Sequence, residues 1–189
     1  MLKNLNLKMK IIGGFVLVAI ITVFVGLIAV IGIMRLEEST RDIGTNRLPS
    51  VQALLNVSEA QFSIDGAENI LLVQELSREQ RDATLESMIT DIKKAQANLT
   101  IYEALSMSAD EQSIWDAFVP KWQKWLEDHQ EFLNKETAYR AKVTQLAYDE
   151  MVRQGIVTNA ISFKEAESLL TQLVNLNSGS ADQAVKDVN

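Results

Sequence analysis

The feature that most constrains this chain is a stretch of 24 residues without a single charge, "IIGGFVLVAIITVFVGLIAVIGIM", Ile11 to Met34. As a helix it would be about 36 Å long, against a hydrocarbon core of about 30 Å. A cleavable signal peptide has a shorter apolar region and a small-residue cleavage site. This run is longer and passes into "RLEEST" with no A-x-A pattern. We therefore expect an uncleaved transmembrane helix over 11–34, preceded by a cytoplasmic tail (1–10) and followed by a helical stalk (35–48) and a bundle (49–189).

Lys3, Lys8 and Lys10 precede the span, and Arg35, Arg41 and Arg47 follow it. Basic residues alone nearly balance, so charge does not fix the orientation. A short basic tail is easily retained, whereas a long following domain translocates largely regardless of charge. This favours a cytoplasmic N-terminus with the bundle on the far side of the membrane. All 25 acidic residues lie beyond the span, where 15 of the 18 basic ones oppose them. So acidic a segment argues against nucleic acid as a partner. The chain has no cysteine, which excludes disulfides and zinc ribbons.

Beyond Pro49 the periodicity is helical throughout. "SREQ" (77–80) and "SADE" (108–111) fit the capping box, and "RQGIVTN" offers Gly155 as a helix stop with Thr158 or Asn159 as the next cap. Four helices follow, roughly 49–76, 79–106, 109–153 and 159–188. The fold class is all-α, a transmembrane helix followed by an antiparallel up-down four-helix bundle, which would return Asn189 to the membrane end.

Heptad seams run through Leu85, Met88, Ile92, Ala95, Leu99 and Tyr102, and through Trp115, Phe118, Trp122, Trp125, His129, Phe132, Glu136, Tyr139, Val143 and Leu146. The first helix of the bundle carries two apolar faces. Val51, Leu55, Ser58, Phe62, Asp65, Asn69, Leu72 and Leu76 form one, expected to serve the bundle. Ala53, Val57, Ala60, Ile64, Ala67 and Leu71 form the other, whose small and large residues suit a second copy of the same helix in a homodimer. A stripe of small residues in the span, Ala19, Thr22, Gly26 and Ala29, suits the same pairing. Pro49 is expected to kink the stalk or restart it with proline in the first turn, and Pro120 to kink the third helix.

The start "MLKNLNLKMKIIGGF", then "NRLPSVQALL", "SADEQSIWDAFVPKWQKW" and "EAESLLTQLVNLNSGSADQA" resemble, in order and spacing over nearly the whole chain, the N-terminal half of a bacterial methyl-accepting chemotaxis protein with its four-helix-bundle sensor domain. The resemblance implies a dimeric receptor of the bacterial inner membrane with a periplasmic bundle, a second span, a cytoplasmic linker and a coiled coil controlling a histidine kinase. Related sensor kinases and cyclases carry the same input module. A second apolar run shortly after Asn189 would go with the receptor, and a stop codon there with an anchored scaffold or adaptor that has no ligand.

No catalytic constellation, cofactor motif or metal-ligand spacing is visible, so an enzyme is not expected. His129 reads as a core histidine bonded to a carboxylate. Ser58, Asp65 and Asn69 interrupt an apolar face, where an unpaired polar group costs on the order of 1–3 kcal/mol. They read as register contacts or, with His129, as a candidate pocket for a small molecule between helices. The family's amino-acid receptors hold a ligand carboxylate with arginines on the first helix. Here that helix has none between Arg47 and Arg78, and carries Glu59, Asp65, Glu68 and Glu75 instead. A cationic or neutral ligand, or a periplasmic binding protein, fits that helix better. Trp115, Trp122 and Trp125, at heptad spacing, read as core.

Overall fold

The computed structural model describes residues 7–186, and every element among them is helical. Helix α1 spans Leu7–Asp42 and passes through a π-helical turn, Ile43–Arg47, into α2, Leu48–Leu71. Then come α3 (Arg78–Glu103), α4 (Ala109–Ala141) and α5 (Gln145–Arg153), which continues through a second π-helical turn, Gln154–Asn159, into α6 (Ala160–Lys186). The tail with Lys3 and the terminal Asn189 lie outside the described residues. Among the described residues one helical run is long and apolar enough to cross a membrane, and its large side chains from Ile11 to Met34 are exposed.

Pro49 explains the first irregularity. It falls in the first turn of α2 and cannot donate to the carbonyl four residues back. The chain widens just before it, so Leu48 N–H reaches Ile43 O, and the Ser50 hydroxyl donates to Asn46 O at 2.8 Å. Helix α3 begins as the sequence predicts. Ser77 Oγ accepts from Gln80 N–H at 3.2 Å while Gln80 Oε1 accepts from Ser77 N–H at 3.0 Å. Ser108 and Glu111 repeat the arrangement at the start of α4.

Three boundaries differ from expectation, the first being the end of α2, predicted near 76 and found at Leu71. The helix predicted over 109–153 stops at Ala141, Lys142 is extended, and Thr144 caps a new helix by accepting from Ala147 N–H. Because α2 already ends at Leu71, α4 has little left to pack against beyond Tyr139. Val143 and Leu146, expected on the seam, are 75% and 71% exposed. Gly155, expected to stop a helix, lies inside the second π-helical turn, and no glycine among the described residues has a positive φ.

Cross-helix pairs give the packing. Partners descend along α3 as they ascend along α2, in Glu59–Lys94 and Ser63–Asp91. They do the same between α4 and α6, where Glu111 meets Asn177 and Lys121 meets Glu165. The core between them holds Leu54, Val57, Ile64, Met88, Phe118, Trp125, Phe132, Leu170 and Leu173.

The faces of α2 are the reverse of the expected assignment. Ala53, Val57, Ala60, Ile64, Ala67 and Leu71 all lie inside the protomer's own core, none more than 7% exposed. Their side chains are therefore closed to a second copy; the small residues let α3 pack close to α2 within one chain. On the face expected to serve the bundle, Leu55 and Phe62 are 51% and 53% exposed, and Val51, Ser58 and Asp65 are half-buried.

Candidate functional site

Three polar layers cross the apolar interior. At mid-height, His129 Nδ1 lies 2.6 Å from Glu68 Oε1, both side chains being almost fully buried. Asn159 Nδ2 donates to both oxygens of Glu68, at 2.9 and 2.8 Å, and Asn159 Oδ1 accepts from Gln154 Nε2 at 3.0 Å. Gln154 also donates to Asp128 O at 3.2 Å. The second π-helical turn makes this possible. In an α-helix residues five apart point about 140° away from each other; the wider π turn brings Gln154 and Asn159 to one side.

His129 Nε2 is buried with no hydrogen-bond partner among the described residues. Burial pushes the Glu68 carboxyl above its usual range; the bonds from His129 and Asn159 oppose that shift without cancelling it. Burial likewise raises Asp65, which sits near enough to Glu68 to add to its shift.

The second layer lies beside the first π-helical turn. Glu111, fully buried, accepts from Tyr102 Oη at 2.6 Å and from Asn177 Nδ2 at 2.7 Å, and pairs with Arg47 at 3.3 Å. Arg47 also holds Asp42 at 3.1 Å. The layer thereby joins the α1–α2 junction to α3, α4 and α6. Burial and the neighbouring Glu111 both raise the Tyr102 phenol, which stays protonated and donates. The third layer, at the opposite end, places buried Glu136 against Arg81 at 3.4 Å and Arg140 at 3.2 Å. Arg81 also caps the end of α2, donating to Leu71 O and Val73 O.

Of the four residues named as a candidate pocket, the structure does not make one cluster. His129 is in the core layer. Asn69 is exposed and bonds Asp65 one turn back, at 3.0 Å to its carbonyl and 3.3 Å to its carboxylate. Ser58 stands apart, half-buried. Glu68, the partner of His129 on α2, and Asn159, which holds Glu68 from the end of the second π-helical turn, were not singled out by the sequence as site residues. Their signal was faint: a glutamate one heptad below Gln61, itself fully buried. Trp115, Trp122 and Trp125 form a continuous aromatic ladder with Tyr102 and Phe118, with centroids 4.8–5.7 Å apart along α4. Among the described residues no group of three or more His, Asp or Glu is placed to hold a metal ion.

By class, then, this is a four-helix bundle whose buried polar residues tie one helix to another at three heights. The family described as a four-helix-bundle sensory module for signal transduction matches residues 4–189, and the chain belongs to that family, the sensor-domain type of methyl-accepting chemotaxis proteins. No curated protein and no solved structure gave a match.

Proposed function

We propose that the protein is the membrane-anchored input module of a chemotaxis-type receptor: a non-catalytic antiparallel bundle outside the inner membrane, held by the helix over 11–34 and working as a homodimer. The observation that carries this reading is the continuity of an exposed, uncharged helix with the first helix of a sensory bundle. The first π-helical turn and the Glu111 layer support it further, because they tie that helix to α6, the element that would lead back to the membrane. Binding of a small molecule or a periplasmic partner would displace α6 against α2 by an ångström or two, the scale on which packed helices shift.

The dimer contact in this reading is the half-exposed stripe of Leu48, Val51, Leu55, Ser58 and Phe62, not the buried alanine face. The chain has no native cysteine, so single cysteines report proximity cleanly. Leu55→Cys and Phe62→Cys in membranes should cross-link between copies under mild oxidation, and Val57→Cys, facing the core, should not. Equal or absent cross-linking at all three positions would remove the proposed interface.

A further inference from the structure

The third layer borders a cleft of about 640 Å³ at the end of the bundle formed by the α2–α3 and α4–α5 turns. Three of its lining residues are arginines, Arg78, Arg81 and Arg140, and none is acidic. Its remaining wall is mainly apolar, from Leu76, Tyr139 and Val143. The volume lies within the range that small-ligand sites occupy.

The arginines are held from behind. Ion pairs run Arg81–Glu136–Arg140–Asp82–Arg78, a chain that alternates in sign and ends in a guanidinium at both ends. It carries one positive charge in excess. Arg78 stands at the rim, shared with a shallow groove on the outer flank of α3 that Glu79, Asp82 and Glu86 also line. Arg81 is fixed by two backbone carbonyls as well as by Glu136, and its side chain is only 7% exposed. Arg140 Nη1 donates to Asp82 Oδ1 at 2.9 Å, whereas its Nε lies 3.2 Å from Glu136 Oε2 without a hydrogen bond to it, which leaves donors of this guanidinium free among the described residues. Arg78 is 92% exposed and has only a 3.7 Å contact to Asp82.

We propose that this cleft binds an aromatic monocarboxylate, whose charge is taken by Arg140 and Arg78 over the fixed Arg81 and whose ring lies against Tyr139, Leu76 and Val143. Arg140, held by Asp82 beside the fixed Arg81, presents its guanidinium to a planar carboxylate with little ordering left to do, and the exposed Arg78 closes on the other oxygen. A single excess charge suits a monoanion, and the apolar wall favours a ring over a small inorganic anion. The site lies within one protomer, on α3, α4 and their turns, away from the first-helix face.

Benzoate is the probe, titrated against the full chain in detergent micelles with the melting midpoint and heat of binding measured together. The expected result is a midpoint that rises with the logarithm of benzoate concentration, with no rise from neutral benzamide or from phosphate. Arg78→Gln, at an exposed position, should keep the unliganded midpoint and weaken benzoate about tenfold, the worth of one charge-assisted contact. Arg140→Gln should abolish binding. No benzoate effect, an equal effect from benzamide or phosphate, or unchanged affinity in both variants would overturn the assignment. The readout is binding to the chain itself, so it is independent of whether the bundle dimerises or signals.

Discussion

Asn159 donates twice to a carboxylate on a residue only 2% exposed, and this fixes what its loss must do. Asn159→Ala leaves Glu68 with His129 alone, and hydrogen bonds to a buried charge contribute about 1.5–3 kcal/mol each. A loss of about 2–3 kcal/mol in urea unfolding is expected; a change under 1 kcal/mol would mean that the pair carries no weight. The pH dependence follows from the raised Glu68 carboxyl. The folded chain holds that proton more tightly than the unfolded one, so this group's contribution to stability falls as pH rises from its usual value of 4.5 through the raised folded value. Glu68→Gln has no proton to lose and should flatten the stability profile in that window, which melting at stepped pH reads directly. The core role of His129 was legible in the sequence from its place on an aromatic seam. Its partner Glu68 and the Asn159 that holds Glu68 were not, because a glutamate and an asparagine on separate elements carry no joint signature until these are packed.

Capping boxes are local, formed by residues three apart, and both were legible for that reason. Removing either serine hydroxyl, by Ser77→Ala or Ser108→Ala, should cost about 1 kcal/mol in thermal or chemical melts. The π-helical turns are the opposite case. "RQGIVTN" has the residues of a helix stop, but tertiary demand holds it helical, since Gln154 and Asn159 must both face Glu68. Gly155 shows how tightly that turn is packed: a Cβ there would lie 3.1 Å from Phe132 Cε2. Gly155→Ala therefore sets gained helix propensity against a crowded ring, and with Phe132 fully buried the crowding should dominate. A destabilisation of about 1 kcal/mol is expected, and a stabilised variant would show that the ring yields.

At the scale of the whole molecule, helix number and the membrane-length run were readable from periodicity and length. Which face of α2 points inward was not. Both faces repeat every three or four residues and both contain large aliphatics. What decided it is size: Ala53, Ala60 and Ala67 let α3 approach closely, which leaves Leu55 and Phe62 outward. Two charge substitutions separate the consequences. Ala60→Glu should unfold the bundle, since it buries a carboxylate where the native side chain is 1% exposed. Phe62→Glu should leave the protomer's melting intact and shift the oligomer toward monomer in ultracentrifugation. Reversed results would return the alanine face to the interface.

The π-helical turn before Pro49 also sets a phase. Counting in sevens from Ala19 and Gly26 leads through Ile33 and Thr40 to Arg47; from Thr22 and Ala29 it leads through Leu36 and Ile43 to Ser50. The outward stripe of α2 instead runs through Leu48, Leu55 and Phe62 and through Val51 and Ser58, one residue later in each case. A π-helical turn accommodates one residue beyond the regular winding, and it lies between the two stripes, at Ile43–Arg47. In a supercoiled pair that offset would point the small residues of α1 and the apolar stripe of the bundle toward the same axis. Deleting Gly44 would let the turn close into regular α-helix with the stripes still in phase, whereas inserting a residue beside it would turn one stripe away from the other by about 100°, so that the two halves of a single long helix would call for partners on different sides.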